Sequence, residues 1–277
     1  MKIGFIDYYL DEWHANHYPQ WFKEVDSQAE VAFGYAVLDN PNGRTNRQWC
    51  EDNGVTLCAT MEELVEKSDA LAVLSPDNTE LHEALCQVAL RSGKRTYIDK
   101  TFAPDEIIGR RIFDLAAAHN TPCWSTSALR FAPEYQNIDR EKIAGIVSVG
   151  PAGAETYIIH QLEPVMMLMQ APARRVIAMP GEHMYTVTIQ FAGGRLAVVN
   201  GLVEGSPFRL DLAMNGAPNQ VVSAQEDFFH AFIQALVRFY LTGEIPVEPK
   251  ETLHIAAVRA AALRALAEPG KWVELHH

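Results

Sequence analysis

The sequence is short of positive charge. Its 277 residues include 23 Lys and Arg against 35 Asp and Glu, a formal net charge of −12. That balance excludes nucleic acid as a partner, since displacing counterions from phosphates takes a basic stripe. Anionic membrane surfaces are disfavoured for the same reason. Long apolar runs are missing too, and no window approaches the ~18 apolar residues of a spanning helix. Cysteine is scarce: Cys50, Cys58, Cys86 and Cys123 lie far apart, with no Cys-x-x-Cys spacing. The opening Met1-Lys2-Ile3-Gly4-Phe5-Ile6-Asp7 meets an acid at once and does not read as a secretory leader. These absences point to a reduced, soluble, cytoplasmic protein. No nucleophile elbow or phosphate P-loop is present, and His276-His277 is set aside.

Hydrophobic residues make up 48% and charged residues 21%, a globular composition. The length suits one large domain or two modest ones, burying roughly three quarters of the unfolded surface. Short apolar runs at Lys2–Ile6, Val31–Leu38, Leu71–Leu74 and Thr96–Asp99 read as strands. A helix between the last two is expected to be capped by Asn78 or Thr79, to bury Leu81, Leu85, Val88 and Ala89, and to end at Gly93. Another opens at Pro104-Asp105-Glu106. Strands alternating with helices predict a doubly wound parallel sheet over residues 1–122.

After Pro122 the texture changes. Ile143–Val149, Arg175–Met179, Tyr185–Phe191, Leu196–Val203 and Phe208–Met214 read as strands, with a hairpin at Gly193-Gly194. Alternation along Tyr185–Phe191 predicts a mainly antiparallel open-faced sheet, its Val187 face covered by helices or by another subunit. Two helices close the chain. One carries the stripe Phe229, Phe232, Ile233, Leu236, Val237 and Tyr240, and the other spans 250–267 with Leu253, Ala256, Ala257 and Ala260. The fold class is α/β followed by an α+β domain over 123–277, whose last helix can pack back on the first domain.

Five phrases in this order resemble the Gfo/Idh/MocA oxidoreductases, the relatives of glucose–fructose oxidoreductase and inositol dehydrogenase. They are Ala72-Val73-Leu74-Ser75-Pro76 through His82; Ala89 to Gly93-Lys94; Tyr97-Ile98-Asp99-Lys100-Thr101; Ala128-Leu129-Arg130-Phe131-Ala132-Pro133; and Phe228-Phe229 through Leu241-Thr242-Gly243-Glu244-Ile245-Pro246-Val247. The resemblance runs over nearly the whole chain. It implies hydride transfer between NAD (or NADP) and a sugar, polyol or cyclitol, in a homodimer or homotetramer formed through the C-terminal sheet. Along the cofactor site it places Ile6, Asp7, Tyr8, Tyr9, Asp39, Ser75, Pro76 and Asp99. Lys100, where the family has "EKP", and His160, where it has "H-x-x-D", are the implied catalytic and substrate-binding pair. Glu163 orients the histidine or binds a sugar hydroxyl, and Arg130 contacts substrate.

The chemistry suits those residue types. A lysine beyond a strand end projects where open α/β sheets hold ligands and can exchange a hydroxyl proton. His160 and Glu163, three residues apart, share one helical face, and a histidine titrates near neutrality. Asp39 can accept both hydroxyls of a ribose, and Asp39-Asn40-Pro41-Asn42-Gly43 is equally a good turn. Two departures stand against the pattern. From Asp7 to Ala15 there is no glycine, so the tight turn that brings backbone to a pyrophosphate is lost, and Asp7, Asp11 and Glu12 repel its charge. Thr156 stands where such dehydrogenases carry an aspartate four residues before the histidine. The rival expectation is a ligand-binding or regulatory protein that kept a carbohydrate site and lost the dinucleotide. His14 and His17 near Asp11 and Glu12 form no recognisable metal motif.

Overall fold

The computed structural model describes residues 1–151, 153–202 and 205–275. Val203, expected at a strand end, and the terminal histidines lie outside the described residues. The chain divides into two compact units, Met1–Thr126 with Phe232–Thr252, and Ser127–Ala231 with Leu253–His277.

The first unit is built on six parallel strands: β1 (Lys2–Asp7), β2 (Glu30–Ala36), β3 (Thr56–Leu57), β4 (Ala70–Val73), β5 (Thr96–Ile98) and β6 (Cys123–Trp124). Their order is β3-β2-β1-β4-β5-β6, with Ile3 opposite both Val31 and Ala70. All four residues of β4 are buried, and so are the last five of β1, as strands covered on both faces require. Helices α1 (Trp13–Val25), α2 (Asn46–Asn53), α3 (Met61–Lys67), α4 (His82–Leu90) and α5 (Glu106–Ala118) connect them. The strand order reverses between β1 and β4, so the carboxyl ends of these two strands form the switch point where such sheets hold ligands. The two-residue strands β3 and β6 are too short to carry a periodic signal, and the sequence reading passed over both.

Local chemistry sets the helix ends. Thr45 and Gln48 close a reciprocal capping box on α2, and Gly54 ends it at φ +67°. Asp105 caps α5 through the Ile108 N–H at 2.9 Å. The expected cap of α4 at Asn78 or Thr79 does not form. Thr79–Leu81 make a 3-10 turn instead, and α4 starts at His82 without a side-chain cap. The physical reason is His82 itself, buried with its ring held between the carbonyls of Leu74 (2.7 Å), Ser75 (3.2 Å) and Phe102 (3.0 Å). Burial lowers its pKa, so the neutral ring donates to one side only.

The aromatic stripe of α8 (Phe228–Thr242) supplies part of this unit's core. Phe232 is fully buried, with its ring 5.9 Å from Tyr18, 5.4 Å from Tyr97 and 6.2 Å from Trp124. Tyr240 keeps its hydroxyl satisfied by donating to the Leu71 carbonyl at 2.8 Å. All four cysteines are free and buried, and burial pushes the Cys50 and Cys123 thiols up to about 12.

The second unit holds a seven-stranded sheet of β7 (Ile143–Pro151), β8 (Ala173–Pro180), β9 (Met184–Phe191), β10 (Leu196–Leu202), β11 (Arg209–Met214), β12 (Gln220–Ser223) and β13 (Val273–Glu274). The order is β12-β11-β7-β10-β9-β8-β13, antiparallel throughout except for β7 against β10. Gly193 and Gly194 take positive φ in the β9–β10 hairpin, as their pairing in the sequence suggested. The Val187 face is covered from within the unit. Tyr185, Val187, Ile189, Ala197 and Val199 join one core with Ile158, Leu162 and Val165 of α7 (Ile158–Met169) and Val258, Ala261 and Ala262 of α9 (Pro249–Ala267). The opposite face carries half-exposed Thr186, Thr188 and Gln190. The short α6 (Pro133–Gln136) completes the unit. Among the described residues no helix is long and apolar enough to cross a membrane.

Phe232→Ala would open a void among Tyr18, Tyr97 and Trp124. The expected loss is about 3–5 kcal/mol of unfolding free energy, read from the urea midpoint. A loss below about 1 kcal/mol would show that the stripe does not anchor this core.

Candidate functional site

Four chain segments bring ionisable groups to the carboxyl edge of the first unit's sheet. Asp7 ends β1, Ser75 follows β4, Asp99 and Lys100 follow β5, and Glu12 and His14 open α1. Asp7 is 1% exposed; its Oδ1 accepts the Tyr8 N–H at 2.6 Å, and its Oδ2 has no hydrogen-bond partner. Burial, then the charges of Glu12 and Asp99, raise its pKa well above the carboxylate range. Ser75 is buried in the left-handed region at φ +72°, its hydroxyl likewise unpartnered. A side chain held there costs roughly 1–2 kcal/mol, and such strain concentrates at working sites.

Asp99 takes the opposite direction. Burial pushes its pKa up, but His14 Nδ1 at 2.8 Å, Lys100 and the Tyr97 hydroxyl at 2.9 Å outweigh it and hold the carboxylate at about 2. Tyr97 also faces the Thr126 carbonyl at 3.0 Å. Lys100 is 8% exposed, and its one recorded hydrogen bond is a long 3.3 Å donation to the Pro76 carbonyl. An ammonium has three donors. Lys100 is a buried cation with donors to spare, beside an ionised aspartate.

The start of α1 tests whether a dinucleotide fits. A helix N-terminus after the first strand ordinarily receives the pyrophosphate on its unpaired amides. Here Glu12 is the N-cap: Oε2 accepts the His14 N–H at 2.7 Å and Oε1 accepts the Ala15 N–H in a shorter bond. Glu12 N itself donates to the Leu10 carbonyl at 2.9 Å. Burial raises Glu12 to about 7, against His14 and the two amides, which pull it down.

The neighbouring gap toward β2 is bridged as well. Asp11 accepts the Arg44 N–H and its guanidinium, both at 2.7 Å, and Asn40 donates to the Asp11 carbonyl at 2.7 Å. A Cβ on Gly43 would come within 2.3 Å of Asp11 Oδ2, so the close approach needs glycine there. Asp39 is exposed, and its Oδ1 accepts the Asn46 N–H at 2.7 Å. Tyr8 and Tyr9, half-buried with rings 5.7 Å apart, add bulk where the turn would need none. Ile6 is buried in β1. With the α1 amides taken by a carboxylate and the loop closed by Asp11, the residues present do not fit a dinucleotide pyrophosphate. Among the described residues no group of three or more His, Cys, Asp or Glu is placed to hold a metal ion.

The second unit carries its own cluster. His160 and Glu163 project from one side of α7 onto Ser127. The Ser127 hydroxyl lies 2.7 Å from His160 Nδ1, and its N–H donates to Glu163 Oε1 at 3.2 Å. Glu163 Oε2 accepts Arg130 Nε at 2.7 Å, both side chains being buried. The three-residue spacing thus does place the histidine and the acid together, and Arg130 pairs with Glu163 within this unit. His160 is half-buried, with Phe208 and Tyr157 rings 5.9 and 5.6 Å away.

Sequence reasoning missed Ser127, His14 as the partner of Asp99, and Glu12 as a helix cap. Ser127 sits one residue before the quoted phrase that begins at Ala128. Glutamate is not among the favoured N-cap residues, so no capping signal marked position 12.

The carboxylate shifts have a pH consequence. Glu12 binds its proton more tightly folded than unfolded, so its contribution to stability is fully present below about pH 4.5 and lost as pH rises through about 7. Asp99 acts in the reverse sense, contributing above about pH 3.8 and losing that as pH falls toward 2. Between pH 4.5 and 7 the wild-type protein should lose stability relative to Glu12→Gln, on the order of 3 kcal/mol. Thermal melts across that range check it, and parallel curves for the two proteins would refute it.

No family model matches the sequence, and no curated protein does. Solved structures do match the fold. A probable dehydrogenase from Thermotoga maritima superposes with a TM-score of 0.82 at 16% identity, covering 99% of this chain and 98% of that one. The myo-inositol dehydrogenase of Lactobacillus casei, in complex with NAD(H) and myo-inositol, gives 0.82 at 15% identity, covering 100% and 97%. The UDP-N-acetylglucosamine 3-dehydrogenase of Acidithiobacillus ferrooxidans gives 0.79 at 14% identity, covering 97% and 98%. With its six-stranded parallel sheet and its second, mainly antiparallel sheet, the chain has the fold of the Gfo/Idh/MocA-type dehydrogenases.

Proposed function

We propose that the protein binds a sugar, polyol or cyclitol through a hydroxyl held by the Lys100 ammonium, without seating a dinucleotide. The observation that carries this reading is Lys100, a buried ammonium past the end of β5 with one long hydrogen bond and ionised Asp99 beside it. A ligand hydroxyl completes its donor set, and hydrogen bonds to charged groups contribute about 1.5–3 kcal/mol each. The carbohydrate class comes from the fold neighbours, whose ligands include myo-inositol. In the second unit the Ser127 hydroxyl lies 2.7 Å from His160 Nδ1. Glu163 and Arg130 neutralise each other and hold that arrangement in place.

A second reading keeps hydride transfer to NAD or NADP, with Ser75, Pro76 and Asp99 beside the nicotinamide end. It is favoured by Asp39, an exposed acid after β2 suited to a ribose, and by the NAD(H) complex of a fold neighbour. The closed α1 terminus weighs against it.

Calorimetric titration with a panel of inositols, sugars and polyols decides the first reading. Wild-type protein should bind at least one. Lys100→Ala should weaken that binding about ten- to hundredfold, with circular dichroism confirming that the variant is folded. No binding across the panel, or full affinity in Lys100→Ala, would sink it. Saturable binding of NAD, NADP, NADH or NADPH at millimolar concentration or below would instead establish the second.

Self-association belongs to the same proposal. The second sheet leaves Val147, Met179 and Leu196 37–60% exposed, an apolar element on its open side that suits a second copy. Sizing should give a mass above that of the 30.9 kDa chain; a clean monomer would reject it.

A further inference from the structure

We infer that Glu12 is a built-in occupant of the phosphate seat at the start of α1, holding the helix amides that an anion would otherwise take. α1 has 13 residues and begins directly after the loop that leaves β1. Both Glu12 oxygens are used, one on the His14 amide and one on the Ala15 amide. The pattern is that of an anion held by two converging N–H groups, the arrangement a helix N-terminus offers to a phosphate. The His14 ring adds a third contact, with Nδ1 3.9 Å from Glu12 Oε2. The carboxylate is carried by the chain, so its local concentration exceeds that of any free ligand, and a diffusing phosphate competes poorly for the same amides.

Two buried polar atoms at the same sheet edge are open to a ligand. The buried Asp7 Oδ2 and Ser75 Oγ, at the strand ends flanking the switch point, are polar atoms without partners. Burial and then the Glu12 charge raise the Asp7 pKa, which lessens the repulsion this acid presents to an anion. The ligand class is a pyrophosphate, free or as part of a nucleoside diphosphate. This inference does not depend on the carbohydrate reading.

The test uses the full chain and three proteins: wild type, Glu12→Gly and Glu12→Asp. Glycine is tolerated at an N-cap, and aspartate is a favoured cap that keeps an internal carboxylate on the amides. Inorganic pyrophosphate and ADP are titrated by calorimetry at low and high salt, with circular dichroism and thermal melts confirming that each variant is folded. Wild type and Glu12→Asp should show no saturable binding at millimolar concentration. Glu12→Gly should bind both ligands at least tenfold more tightly, with an affinity that falls as salt rises. A folded Glu12→Gly protein that binds no better than wild type would overturn the inference. Binding by Glu12→Asp equal to that of Glu12→Gly would do the same, and so would binding by wild type.

Discussion

A carboxylate taken out of water must be repaid by partners or it gives up its charge. Asp99, buried past the end of β5, is repaid by the His14 ring, the Lys100 ammonium and the Tyr97 hydroxyl. Much of the first unit's working edge depends on that pairing. It fixes the start of α1 against the end of β5, since His14 is the second residue of the helix. It also sets the charge beside Lys100 and engages the phenol of Tyr97, whose ring is part of the aromatic core around Phe232. For Asp7 and Glu12 burial is the larger influence and raises their pKa values, that of Glu12 to about 7 against the pull of His14 and two amides.

The consequence is a division of labour among three acids within one sheet edge. Asp99 is held ionised, Asp7 is pushed toward its neutral form by burial, and Glu12 changes charge near neutrality. The same edge in a dinucleotide-binding sheet is bare backbone awaiting a phosphate. In this chain side chains fill it, and Asp11 with Arg44 seals the loop toward β2. The second unit is organised differently. There Glu163 is engaged by the Ser127 N–H and the Arg130 guanidinium, and the Ser127 hydroxyl meets the His160 ring.

The fold was largely legible because its signals are local and repeated. Buried strands such as Ala70–Val73 read as apolar runs, Tyr185–Phe191 alternates, and Gly193-Gly194 marks a hairpin with no competing interpretation. The cap of α4 was misread because Asn78 and Thr79 are good capping residues locally, while the carbonyls of Leu74, Ser75 and Phe102 that draw in His82 come from elsewhere in the chain. Of the candidate site, Lys100, His160 and Glu163 were named through resemblance alone, and the loss of glycine after β1 was plain in the sequence. What replaced the glycine was not, because a glutamate before a helix carries no statistical mark of a cap.

The sequence by itself determined the alternation that builds a parallel sheet, the two-faced strands of the second sheet and the absence of a glycine turn. Each of these is a matter of spacing along the chain. Only the tertiary structure decided what the acids do. Whether Asp7, Glu12 and Asp99 are charged, paired or capping depends on burial and on contacts such as His14 with Asp99, 85 positions apart. Free energies of ionisation answer to the surroundings in space, and a linear sequence does not state which surroundings those will be.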